Sequence, residues 1–177
     1  YNLGLMYVNS QSVLQEYTEP AKWYRLAAEQ GEASAQNNLG LMYVNSQSVP
    51  PNHTEAVKWD RLAAEQGEAT AQYNLGNAYN NGKGAPKDYT ESLKWYLLSA
   101  EQGMASAQNN LAVMFELGLG VIQSNRMAHM WYNIAAANGY EKAVRWRDER
   151  AGLMTIADIS KSQAMAKECL SSDYTKC

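Results

Sequence analysis

The sequence predicts an all-α fold, a right-handed α-α superhelix built as a solenoid of helix-turn-helix repeats, and three observations carry that prediction. Tryptophans stand at Trp23, Trp59, Trp95 and Trp131, each 36 residues beyond the last. Glycines keep the same spacing at Gly31, Gly67, Gly103 and Gly139, and asparagines at Asn2, Asn38, Asn74 and Asn110. The string LGLMYVNSQSV occurs twice, at 3–13 and 39–49, again 36 apart. A fixed period of this length marks stacked repeats: one helix pair cannot bury its own apolar face, and adjoining pairs complete a continuous core. Four units keep this register over 1–139, and 140–177 read as a terminal helix pair or cap with a cysteine-containing tail. No strand-like alternation of useful length interrupts them.

The first unit opens part-way through its first helix. Leu3, Met6 and Tyr7 would lack an upstream neighbour, so a further amino-terminal portion is expected before Tyr1. Pro20 falls in the first turn of the helix carrying Trp23, where a missing N–H is tolerable. The next helix, ASAQNNLGLMYVN, places Ala35, Leu39, Met42 and Tyr43 on one face. Gly40 within it, like Gly76 one unit on, costs a helix about 1 kcal/mol relative to alanine. Such a residue marks a close helix–helix approach. Asn52 with Glu55 makes a capping box for the helix that follows, and Asp88 with Glu91 repeats it in DYTESLKWYLLSAEQG. Trp95, Leu98 and Ser99, with Leu62 and Ala63 in the matching slots one unit earlier, are expected to form the packed stripe, and Gly103 a left-handed helix stop. Thr155 with Asp158 starts the last helix, on which Ile156, Ile159 and Ala166 are expected to cover the final repeat.

The unit A-x-A-Q-x-N-L-G-x-x-Y, then G-x-G, then D-Y-x-E-x-x-K-W-Y-x-x-A-A-E-Q-G resembles the Sel1-like repeat, a relative of the tetratricopeptide repeat, and 69–103 match it best. The resemblance covers 1 to about 139 directly, and MTIADISKSQAMAKEC is similar to the terminal capping helix of bacterial members. It implies that G-x-G lies between the two helices of a unit, where Gly82, Gly84, Gly118 and Gly120 supply positive φ. The first two units have Ser10, Ser12, Ser46 and Ser48 instead. On the same backbone each serine would cost about 1 kcal/mol or more. Otherwise the loop takes another path, with hydroxyls bonded to nearby backbone. Duplication of one altered unit accounts for both copies, and a loop edge remodelled for a partner is the alternative. Asp60 is a second departure, standing where the other units have Tyr24, Tyr96 and Tyr132.

The ending C…DY-x-K-C resembles that of exported bacterial members, which implies a disulfide between Cys169 and Cys177 pinning the tail. The residues by themselves also allow two free thiols in a cytosolic protein. The disulfide would imply an oxidising compartment such as a periplasm. Two thiols with no neighbouring histidine or further cysteine do not make a metal site.

A net charge of −3, with 19% charged residues, disfavours an electrostatic grip on nucleic acid or anionic lipid. No run of 18 apolar residues offers a membrane span. His53 at a helix start and His129 on a partly buried face belong to no nucleophile pattern, and H-E-x-x-H, P-loop and G-x-S-x-G motifs are absent from the sequence. A hydrolase of the cysteine-rich Sel1-like type is the enzymatic alternative, but the chain lacks S-x-x-K and a cysteine pair in every repeat. No cofactor, metal or small-molecule substrate is expected. Glu29, Glu65 and Glu101 read as a solvated column, and Arg145, Arg147 and Arg150, interleaved with Asp148 and Glu149, as an ion-paired helix face.

A protein partner is expected instead. Resemblance to tetratricopeptide repeats puts a concave groove on the first helix of each pair, lined by Asn37, Leu41, Val44, Asn45, Tyr73, Asn77, Asn80, Asn81, Asn109, Val113 and Glu116. Amide-rich and without lysine or arginine, this set suits an exposed backbone or loop better than an acidic tail. The asparagine column reads alternatively as a ladder of amides joining adjacent helices. The resemblance implies a non-enzymatic scaffold or adaptor. A narrower expectation is a periplasmic immunity protein that neutralises a secreted antibacterial effector such as a phospholipase.

Overall fold

Helix pairs stack along the chain, as the 36-residue period requires. The structure, a computed structural model, describes residues 19–45, 51–175 and 177. Its helices are α1 (Glu19–Glu29), α2 (Ala33–Asn45), α3 (His53–Glu65), α4 (Ala69–Asn81), α5 (Tyr89–Ala100), α6 (Ala105–Leu117), α7 (Asn125–Ala137), α8 (Lys142–Ala151) and α9 (Ile156–Ser171). Each packs chiefly on its neighbours in sequence, while α9 turns back onto α7 and closes the stack as a capping helix. None of the described helices is long and apolar enough to cross a membrane.

The caps form where the sequence places them. Asn52 Oδ1 accepts from the Thr54 and Glu55 N–H groups, both at 3.1 Å, and Asp88 Oδ1 from those of Thr90 and Glu91 at 2.9 and 3.1 Å. Each satisfies donors that the first helical turn leaves open. Thr155 Oγ1 does the same for Asp158 at 3.1 Å. Gly82 and Gly118 end α4 and α6 in the left-handed region, with φ of +70° and +68°.

The second glycine of each G-x-G has a further reason to be there. A Cβ on Gly84 would lie 2.1 Å from the His53 carbonyl oxygen, and one on Gly120 2.6 Å from that of Tyr89. The loop of one unit thus rests on the first turn of the preceding unit's second helix, backbone against backbone. The departures at Ser10, Ser12, Ser46 and Ser48 lie outside the described residues.

Buried side chains run through the stack from Leu39 and Tyr43, through Leu75 and Trp95, to a larger group around Leu111, Trp131, Tyr132 and Ile134. Two expectations for the core need correction. Leu62 is 45% exposed, because the buried row of α3 runs through Ala56, Asp60, Ala63 and Ala64 and leaves Leu62 beside it. Ile156 is 87% exposed at the first position of α9, and the cap seals the last repeat through Ser162, Ala166 and Cys169 instead.

Past α9 the chain is held by a disulfide between Cys169 and Cys177, whose Cα atoms are 4.8 Å apart. Tyr174, at φ +64° inside the closed loop, accepts a 2.7 Å hydrogen bond from Asn138 and lies over Gly103.

Candidate functional site

Polar side chains tie the units together before any are left to meet a partner. Gln36, Gln72 and Gln108 begin the first helices, are almost fully buried, and donate to the carbonyls of Ala28, Ala64 and Ala100 at 3.1, 3.2 and 3.0 Å. Their side-chain oxygens accept from Gln66, Gln102 and Asn138, each at 2.8 Å. One amide rung therefore joins each described unit to the next. The asparagine column adds a second ladder: Asn74 donates to Asn37 and Asn110 to Asn77, both at 3.4 Å. The glutamine rungs were readable as a period of 36 at Gln36, Gln72 and Gln108, but polar residues near a helix start look like surface until the stacking is known.

This ladder divides the predicted groove. Asn37 and Asn109 are buried, 8% and 5% exposed; Asn37 accepts from Asn74 of the next unit, while Asn109 donates only to its neighbour Asn110 at 3.5 Å and its side-chain oxygen has no partner among the described residues. Tyr73 lies against Tyr96 with ring centroids 6.0 Å apart, and Val113 packs half-buried on the carboxyl-terminal core. Glu116 accepts from the Tyr132 hydroxyl at 2.7 Å and pairs with Arg150 at 3.4 Å, so its charge is spent inside the fold. Arg145 and Arg147 likewise pair with Glu149 and Asp148 on α8. Asn80 donates to Asn81 at 3.3 Å.

The structure gathers Leu41, Val44, Asn45, Asn77 and Asn81 around one cavity of about 190 Å³ between α2 and α4. Residues of α3 complete it, among them Val57 and Asp60, and the exposed His53 and Lys83 also line it. The sequence reading allowed no basic side chain in the groove; Lys83 is one, brought in by the loop after α4.

Asp60 explains why the cavity exists. One unit later, Tyr96 fills the matching place: its ring lies where a Cβ on Gly76 would sit, 2.4 Å away, and its hydroxyl donates to Asn77 at 2.8 Å. At the earlier unit the carboxylate of Asp60 faces Gly40 in the same way, 2.6 Å from that glycine's Cβ position, but a carboxylate is much shorter than a phenol. The space the ring would take is left open. Asp60 is only 4% exposed and receives one hydrogen bond among the described residues, from Asn74 at 3.3 Å. Burial pushes its carboxyl up to about 7, against the opposing pull of the Asn74 bond. Burial also pushes the Tyr96 phenol up to about 12, and raises Tyr132, where the Glu116 carboxylate adds to the effect.

His129 is fully buried rather than on a partly buried face. Its Nδ1 lies 2.7 Å from Ser162 Oγ and 3.0 Å from the Asn133 amide, which binds α9 to α7. Burial, with the nearby Arg147 charge, lowers its pKa, so the ring stays neutral. His129 and Ser162 are both buried between α7 and α9, where the pair acts as a structural contact. The described residues hold no group of three or more side chains suited to a metal ion.

A model of the Sel1 repeat matches four consecutive segments, 1–32, 33–68, 69–104 and 105–140. The chain belongs to the Sel1 repeat family. It is similar to a solved Sel1 repeat protein from Oxalobacter formigenes at 39% identity and TM-score 0.65, covering 71% of this chain and 95% of that one. A protective antigen of uropathogenic Escherichia coli with the same repeat fold matches at 26% identity and TM-score 0.67 over 87% of this chain. The chain spans 42% of that antigen's length. Cysteine-rich protein B of Helicobacter pylori, at 20% identity and TM-score 0.58 over 70% of this chain and 94% of that one, shares the fold. No curated protein matches. The Sel1 solenoid is a fold used as a non-enzymatic scaffold for protein interaction, and this Sel1 repeat chain has that architecture.

Proposed function

We propose that this chain is an adaptor that takes a protein partner on the face formed by the first helices of its repeats, with the α2–α4 cavity as the anchoring point. The cavity carries this reading, because five of the eleven residues expected in the groove converge on it: Leu41, Val44, Asn45, Asn77 and Asn81. It combines apolar walls with amide groups, the mixture that fixes one protruding element of a partner by both packing and hydrogen bonding. The Cys169–Cys177 disulfide supports an oxidising compartment, and a periplasm is the one we propose.

Affinity capture from the native host, followed by mass spectrometry, tests the interface. Val44→Arg and Asn81→Arg alter exposed side chains at the cavity, whereas Leu97→Arg alters an exposed one on a second helix. A stoichiometric complex lost with the first two and kept with the third is expected. Retention in both cavity variants moves the interface elsewhere and overturns the reading. A captured partner that is a secreted toxin neutralised by this chain would narrow the role to immunity; an envelope component would narrow it to assembly.

A further inference from the structure

We propose that the Asp60 cavity is a receptor for a single arginine side chain presented by the protein partner, with the guanidinium seated on the Asp60 carboxylate. The inference rests on the adaptor reading above and adds the chemistry of what is recognised. Size limits the occupant first. At about 190 Å³ the cavity falls below the roughly 300–1,000 Å³ of ordinary small-molecule sites, and matches one long side chain.

Polarity then selects the chemistry. Asp60 Oδ1 has its one bond from Asn74, and Oδ2 has none among the described residues. The Asn74 amide nitrogen is used on both Asp60 and Asn37, while its oxygen makes no bond among them. The nearly buried Asp60 carboxylate and the half-buried Asn74 amide oxygen thus line the cavity with acceptor capacity to spare, beside apolar walls from Leu41, Val57 and Ala78. Acceptors in a narrow, partly apolar cavity favour an occupant that brings donors. A guanidinium carries five donors and no acceptor, forms paired bonds to a carboxylate, and is less strongly hydrated than an ammonium. The methylene stem would lie on the apolar walls.

The groups facing Asp60 from the neighbouring elements are Asn74 on α4, Lys83 beyond it and His53 at the start of α3, and neither basic residue forms an ion pair with Asp60 among the described residues. The Asp60 carboxyl, raised toward neutrality while the site is empty, ionises fully when a cation arrives.

The test uses the full chain with two small probes, N-acetyl-arginine N-methylamide and its neutral isostere N-acetyl-citrulline N-methylamide, titrated by NMR at pH 8. Saturable shifts at the Asn74 and Asn77 amides are expected with the arginine probe, and at least tenfold weaker binding with citrulline. Asp60→Asn should abolish the preference, and Asp60→Tyr, which fills the cavity, should bind neither probe. Absence of saturable binding to the wild type, equal binding of both probes, or an undiminished preference in Asp60→Asn overturns the proposal. Probe failure with partner capture still lost in Val44→Arg and Asn81→Arg removes this assignment and leaves the adaptor reading. Probe binding as expected, with capture unaffected in those variants, removes the adaptor reading and leaves the arginine site.

Discussion

At position 60 a single side chain exchanges stability for a vacant, acid-lined space. The folded Asp60 titrates near 7 against an ordinary value of 3.8, so the folded state holds its proton more tightly than the unfolded chain. Stability from this residue is intact below about pH 4 and falls as the pH rises to 7, by up to about 4 kcal/mol, then stays low. His129 acts oppositely: its lowered pKa means its contribution is present above 6.5 and lost as the pH drops below that. Comparing wild type with Asp60→Asn isolates the first effect. Urea denaturation should find the two nearly equal at pH 4 and the variant more stable by a few kcal/mol at pH 8; a gap independent of pH would contradict this. Asp60→Tyr should raise the melting temperature further at pH 8, since Gly40 leaves room for a ring as Gly76 does for Tyr96. The departure at position 60 is visible in the sequence as one aspartate in a tyrosine column. Its meaning is not, because the vacancy depends on Gly40 and Leu41 of α2 and Ala78 of α4 being brought around it from two other helices.

Loops and helices obey rules that the sequence states with uneven clarity. The helix starts were legible because an asparagine, aspartate or threonine cap acts within one turn. The G-x-G loops were legible as positive φ, whereas the contact of Gly84 with the preceding unit joins residues about 30 positions apart and leaves no local trace. Gly84→Ala should therefore cost well over the roughly 1 kcal/mol of left-handed strain alone, in the range of 2–4 kcal/mol, since the His53 carbonyl must move. Gly67→Ala, with nothing within 4 Å, should cost only about 1 kcal/mol. Equal losses in a chemical melt would mean that the loop yields freely. For the amide rungs, Gln72→Leu removes the bonds to Ala64 and Gln102, while the Ala64 carbonyl keeps the Gly67 N–H and Gln102 keeps the Gly67 carbonyl, a loss of about 1–2 kcal/mol. A change below about 0.5 kcal/mol in that melt would show the rung to be idle.

For the whole molecule the decisive property is that contacts are nearly all between neighbours along the stack. The period of 36 announced this, and the groove followed from it only in part. A side chain bonded to the next unit, as Asn37 is to Asn74, cannot be told from one pointing into the groove without the crossing of the helices. The same neighbour-only economy makes damage local. Reducing the disulfide opens an eight-residue loop, which a chain-entropy estimate values at about 2–3 kcal/mol. Hydrogen exchange should quicken at the end of α9 and around Tyr174, while α2–α5 keep their protection; a loss of protection across the whole chain would mean a single cooperative unit.

The tail has one more effect. Where Gln102 reaches the Gly67 carbonyl at 2.9 Å, the shorter Asn138 stops at the Tyr174 hydroxyl, which covers Gly103. By closing the loop that carries Tyr174, the sulfur link works as a clasp that fastens the chain beyond the capping helix to the last step of the staircase.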